Sequence, residues 1–322
     1  MVHAFDAYVA AALFPREGAA FALGDGTVRF EDATTLQAHD GGILCAEIHP
    51  TGSGVLTGGD DGRVVWSRPG GIEVLVDLKG KWIDALAVSA ETGLIAFSAG
   101  RSVTVRDSAD PAFLRTFAHE RSVAGLAFDP KGRRLACATY GGATLWFARI
   151  AEQKPAMLKW AGSHIGVTWS PDGRFLVSSM QENDLHGWRV ADAKDMRMSG
   201  YPSKVRSVAF LSKGQLMATS GAAGAVLWPF GGSNGPMNQQ AIEIGHDQSA
   251  LVARVAAAPL NTGRLVAGLD DGRVWTAELA GKGLTFLKAE KGPPITALAV
   301  SPDGARAAWG DETGGAGVAL LP

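Results

Sequence analysis

Gly231, Ser233 and Gly235 spell G-x-S-x-G, a spacing that lifts a nucleophilic serine out of a sharp turn when a strand precedes it and a helix follows. Neither is written around it. Residues 231–240, GGSNGPMNQQ, have the composition of a solvated connecting loop, and the motif arises readily in such Gly/Ser-rich stretches. The seven histidines show no H-x-H or H-E-x-x-H spacing, and the two cysteines form no C-x-x-C, so no local metal site is encoded and no cofactor is expected. Spacing is blind to ligands gathered from distant segments, which leaves open a metal-dependent hydrolase or lactonase-like enzyme. Cys45 and Cys137 fall inside apolar strand-like runs, where a free thiol behaves as a small buried hydrophobe, and no disulfide is expected.

The elements that would position any such chemistry come from a repeat. Residues 163–190, SHIGVTWSPDGRFLVSSMQENDLHGWRV, read as three short strands divided by two tight turns. Positions equivalent to Pro171 recur at Pro15, Pro50, Ala90, Pro130, Ser212, Pro259 and Pro302. That gives eight copies about 40 residues apart, the period of a four-stranded propeller blade. Outer fourth strands are expected near residues 34–38, 72–78, 113–117, 157–160, 196–199, 241–244 and 284–287. The eighth copy lacks one, and residues 2–5 precede the first copy with no other use. They are expected to complete the last blade and so remove two bare sheet edges. The expectation is one all-β domain spanning residues 1–322, an eight-bladed propeller of four-stranded antiparallel blades closed by its N-terminal strand, with seven blades as the alternative.

The copies resemble the WD-repeat family over nearly the whole chain. Ser170-Pro171-Asp172-Gly173-Arg174, and the related turns that end at Gly52, Gly132 and Gly304, are similar to that family's first turn. Asp25-Gly26, Asp61-Gly62 and Asp271-Gly272 are similar to its second, and His39, His119 and His246 stand where it usually has Gly-His. No Trp here is followed by Asp. The family's buried His, Ser/Thr, Asp and Trp network is therefore expected at most in the second copy, through His39, Thr57, Asp60 or Asp61, and Trp66. The resemblance implies a non-catalytic protein-interaction platform, an adaptor or scaffold.

Charged residues make up only 19% of the chain and the net charge is −2, so no basic field is available for nucleic acid or an anionic membrane. No apolar run approaches the roughly 20 residues of a membrane span, and the N-terminal run carries Asp6 and lacks a basic flank. A cytoplasmic protein, monomeric on its own, is expected.

Strands nearest a propeller axis are crowded. Five residues before the anchors stand Ala10, Cys45, Ala85, Gly125, Gly166, Ser207 and Ala297, with Arg254 the exception; three before, alanine recurs, with Glu47 and Thr168 the exceptions. Glu47 and Arg254 are thus candidate channel-lining charges, each expected to be solvated or paired. The partner surface is placed on the face bearing the loops into the first strands and the Asp-Gly turns, with Trp82, Arg63, Arg121 and Lys204 as its candidate residues. Trp and Arg are the types that most often dominate binding energy.

Overall fold

The computed structural model describes residues 2–258, 263–281 and 283–322; the seventh anchor, Pro259, lies outside them. Short β-branched and apolar runs, each stopped by a turn sequence, form seven antiparallel sheets among the described residues. Copies 1 to 3 build Val9–Leu13, Ala20–Leu23, Thr27–Phe30 and Thr35–Gln37; then Ile43–Ile48, Val55–Gly59, Arg63–Arg68 and Gly71–Asp77; then Ala85–Ser89, Leu94–Ala99, Ser102–Asp107 and Leu114–Ala118. Copy 6 builds Val208–Leu211, Leu216–Thr219, Ala225–Pro229 and Ile242–Ile244, and copy 7 Val252–Ala257, Arg264–Leu269, Val274–Glu278 and Leu284–Lys288. In the last sheet, Ile295–Val300, Arg306–Asp311 and Gly315–Leu320 take Val2–Ala4 as the fourth strand, with Val2 opposite Gly317 and Ala4 opposite Gly315. The N-terminal strand thus completes the last copy as expected.

The count of eight blades is corrected to seven sheets, the stated alternative. Copies 4 and 5 share one six-stranded sheet, ordered Val123–Phe128, Arg134–Phe147, Ala156–Trp169, Phe175–Met180, Leu185–Arg189, Lys194–Met198. Arg134–Phe147 doubles back at Gly141 and Gly142, both at positive φ, so that Ala148 N donates to Arg133 O at 2.9 Å. Ala156–Trp169 then runs unbroken from copy 4 into copy 5, its start paired with residues 142–145 and its end with residues 176–180. The physical reason is that nothing between Trp160 and His164 ends a strand: the sequence there has no proline and no Asp-Gly, and a Tyr140–Ser163 bridge holds the junction.

The turns form where their chemistry dictates. Gly173 N closes on Ser170 O at 2.8 Å with φ +71°, and Gly62 N on Gly59 O at 3.3 Å with φ +85°. A side chain at either position would be strained. Bulges recur at one place in the first strand of five copies, between Ile43 and Cys45, Val123 and Gly125, His164 and Gly166, Val252 and Arg254, and Ile295 and Ala297.

The chain divides into two compact units, one of Pro15–Glu182 and His186–Asp195, the other of Met1–Phe14, Asn183–Leu185 and Met196–Pro322. In the first, Leu94, Val105, Phe117, Leu135 and Trp146 fill the space between copies 3 and 4, and Leu56, Ile83 and Phe97 that between copies 2 and 3. There the first strands are as crowded as the small residues require: a Cβ placed on Gly125 would lie 2.7 Å from the Gly166 Cα. In the second unit, Leu227, Val255, Leu265 and Trp275 join copies 6 and 7. Among the described residues no helix is long and apolar enough to cross a membrane.

Candidate interaction surface

In copy 2 the loop into the next copy lies directly on the Asp-Gly turn. Leu78 N donates to Gly62 O at 2.9 Å, Lys81 N to Leu78 O at 3.0 Å and Ile83 N to Gly59 O at 3.1 Å. Ile83 is fully buried while Trp82, one residue earlier, is 62% exposed. The tryptophan therefore stands on a loop fixed on both sides. Arg63, at the end of that turn, is engaged by carboxylates: Asp40 at 2.9 Å, Asp61 at 3.7 Å and Asp77 at 3.9 Å. Arg121 is exposed on the equivalent loop of the next copy, where His119 N reaches Arg101 O at 2.9 Å and Val123 N reaches Gly100 O at 2.9 Å. Lys204, in the other unit, is half-buried on a loop whose Ser203 N donates to Gly221 O at 3.2 Å. Trp82, Arg121 and Lys204 lie on loops of this one kind, and Arg63 opens the strand after the Asp61-Gly62 turn.

Beneath the Trp82 loop runs a polar relay. His39 Nδ1 lies 2.9 Å from Asp61 Oδ1 and its Nε2 2.8 Å from Thr57 Oγ1. Burial works against the Asp61 charge, but hydrogen bonds from His39 and from the Arg63 amide hold its carboxyl below the usual carboxylate range. Asp61, and not Asp60, is the member. Trp66 is not: its indole donates to Ser53 O at 2.9 Å, its ring stacks on His49 at 3.9 Å, and the Arg68 guanidinium lies 3.8 Å from the ring centre.

The expectation that copy 2 alone carries such a network is also corrected. In copy 4, His119 Nε2 lies 3.0 Å from Thr144 Oγ1 and accepts from the Trp146 indole at 3.1 Å. In copy 5, His164 Nδ1 meets Ser178 Oγ at 2.7 Å, and the histidine is a buried relay member. In copy 6 a tyrosine takes the histidine's place: Tyr201 Oη lies 2.7 Å from Thr219 Oγ1 and accepts from the Trp228 indole at 2.6 Å. The signal was spacing. Tyr201 to Thr219 and His39 to Thr57 are both 18 residues, and Tyr201 to Trp228 and His119 to Trp146 both 27.

Glu47 and Arg254 meet their charge in different ways. Glu47, half-buried opposite Leu56, makes no hydrogen bond or ion pair among the described residues, and burial pushes its carboxyl up to about 7. Two residues earlier, burial and then the Glu47 charge push the Cys45 thiol well above its ordinary range. Arg254 turns to carbonyls, donating through Nε to Thr296 O at 2.7 Å and through Nη1 to Ala253 O at 3.0 Å, while burial draws it below the usual guanidinium range. Ser233 sits in an irregular turn whose Gly235 and Pro236 are buried, with no helix after it. Among the described residues no three His, Cys, Asp or Glu side chains are placed to hold a metal ion.

These meanders of four antiparallel strands, repeated with their two turn types, define a β-propeller. Residues 30–66 match the family model for the WD domain, G-beta repeat, and that stretch contains His39, Thr57 and Asp61. The fold is similar to that of the computationally designed Ika8 protein (TM-score 0.77, 18% identity, 99% of this chain and 98% of that one). It is also similar to the β-propeller domain of Cps50 (Swd1) from Myceliophteria thermophila (TM-score 0.67, 14% identity, 87% and 97%). A chain of a mitotic checkpoint complex matches at TM-score 0.67 and 17% identity, over 100% of this chain and 91% of that one. The fold is that of a β-propeller, and residues 30–66 match one WD repeat.

Proposed function

We propose that this propeller is a non-catalytic platform that binds a protein partner through the surface around Trp82. The observation that carries the reading is the contrast between Trp82, 62% exposed, and the loop beneath it, hydrogen-bonded to the Gly59–Gly62 backbone. A large aromatic presented by an ordered loop binds with little loss of conformational freedom, which is what a binding anchor needs. Exposed Lys79, Lys81 and Arg121 surround it in sequence and in the next loop, which suits a partner segment with carboxylates. The similar chain within a mitotic checkpoint complex supports an assembly role by analogy of fold.

The test is a photo-crosslinking residue placed at Lys81, which captures and identifies the partner, followed by titration with Trp82→Ala. Binding is expected to weaken at least tenfold, a loss of about 1.4 kcal/mol, at a nearly constant melting temperature. Unchanged affinity with a lowered melting temperature would make Trp82 a structural residue and overturn the reading.

A further inference from the structure

Copy 6 repeats the relay of copy 2 with one member missing. Aligned on Trp66 and Trp228, Thr219 takes the place of Thr57, Gly224 that of Gly62, and Ala223 that of Asp61. In copy 2 the Asp61 carboxylate occupies the space between turn and loop, meeting His39 at 2.9 Å and accepting from the amides of Asp40 at 3.1 Å and Arg63 at 3.0 Å. A methyl group reaches none of these. In copy 6 the corresponding place is an open cavity of about 360 Å³, lined among others by Tyr201, Ala222, Ala223, Trp228 and Glu243.

The lining sets the chemistry. The Tyr201 hydroxyl is already used, paired with Thr219 and accepting from Trp228. That leaves aromatic and apolar surface, the Ser199 hydroxyl and a single carboxylate, and no basic side chain lines the cavity. One oxygen of Glu243 accepts from Gly224 N at 2.7 Å, and among the described residues Glu243 forms no ion pair. An uncompensated carboxylate beside tyrosine and tryptophan attracts a cation and repels an anion. The volume accommodates one side-chain head with its aliphatic stem, about a dozen water volumes at ~30 Å³ each.

We infer that copy 6 is a receptor for one cationic side chain, arginine or lysine, presented by a polypeptide partner. The site stands on its own cavity and is independent of the Trp82 surface, so either can fail without the other.

The experiment follows the Trp228 indole N–H resonance in the ¹⁵N-labelled full chain, identified by its loss in Trp228→Phe. The probes are acetyl-arginine amide, acetyl-lysine amide and, as the uncharged control, acetyl-norleucine amide at millimolar concentration. A saturable shift is expected with at least one cationic probe and none with norleucine, and the two cations identify which head is taken. Glu243→Gln keeps a carbonyl for the Gly224 amide and is expected to weaken binding about fivefold, while Ala223→Leu fills the cavity and abolishes it. Should Ala223→Leu fail to fold, Glu243→Gln alone decides. No shift, an equal shift with norleucine, or unchanged affinity in Glu243→Gln would each overturn the inference.

Discussion

The Tyr201 hydroxyl stands 2.7 Å from Thr219 Oγ1, across the same 18 residues that separate His39 from Thr57 at 2.8 Å. A phenol and an imidazole thus perform one structural task, supplying a polar atom at the end of a planar ring beneath a loop. Tyr201→Phe keeps the ring and removes that atom, leaving the Trp228 N–H without its acceptor. A loss of about 1–3 kcal/mol is expected, read as a lower urea midpoint at unchanged slope, with Tyr201→His losing less. A neutral Tyr201→Phe would show that the relay contributes nothing to stability.

Gly125→Ala is expected to cost more than Gly141→Ala, although only Gly141 has a positive φ. The new Cβ at position 125 meets the backbone of Gly166 at 2.7 Å, which no rotamer relieves, whereas nothing lies within 4 Å of one at 141. Overpacking of this kind costs about 1–3 kcal/mol, against roughly 1 kcal/mol for backbone strain alone. The comparison is made by thermal unfolding of both variants, and the reverse order would contradict the close approach of the two first strands.

Glu47 makes stability fall as pH rises. Its folded pKa of about 7 lies above the ordinary 4.5, so between those values the folded chain holds a proton that the unfolded chain has released. The contribution is complete below about pH 4.5 and lost as pH passes 7. Glu47→Gln is expected to be the more stable form at pH 8, by about 1 kcal/mol after allowance for partial solvent access, and equal to the parent at pH 4. Parallel pH profiles for the two proteins would refute a raised carboxyl pKa at this position.

His49 acts with the opposite sign. Burial, then the charges of Arg68 and Arg106, draw its pKa to about 4 from 6.5, so in that window the unfolded chain binds the extra proton. The stabilisation is complete above about pH 6.5 and lost as pH falls through 4. Direct titration of the His49 ring by NMR is the check, and a midpoint near 6.5 would contradict its place against Trp66.

What was legible in the sequence followed residue type. Asp61-Gly62 and Ser170-Pro171-Asp172-Gly173 demand a positive-φ glycine in a four-residue turn, and both turns form as read. Except for the strand expected at residues 157–160, which runs on to Trp169, the outer strands fell within a residue or two of their expected places, down to the N-terminal strand opposite Gly315–Leu320. The joining of copies 4 and 5 was not legible, because it depends on a long-range pairing of Tyr140 with Ser163 that neither residue type announces. The recurrent bulges were hidden for the same reason: an extra backbone residue carries no composition of its own. Tyr201 was not legible from residue type, since the equivalent position elsewhere holds histidine; its signal lies in the distance to Thr219 and Trp228. Glu47 and Arg254 were recognisable as misplaced charges, but which would find carbonyls and which would stay without an ion pair depended on neighbours far along the chain.

Pairing Val2–Ala4 with Gly315–Leu320 gives the molecule a clock. On the ribosome Val2–Ala4 waits for Gly315–Leu320, while copies 2, 3, 6 and 7 each contain every strand of their own sheets. A nascent chain interrupted before Gly315 would carry its N-terminal strand loose and Arg306–Asp311 bare along one side, open to chaperones and proteases. Completion of that sheet therefore waits on the synthesis of Gly315–Leu320, and the architecture makes that strand a condition for closing it.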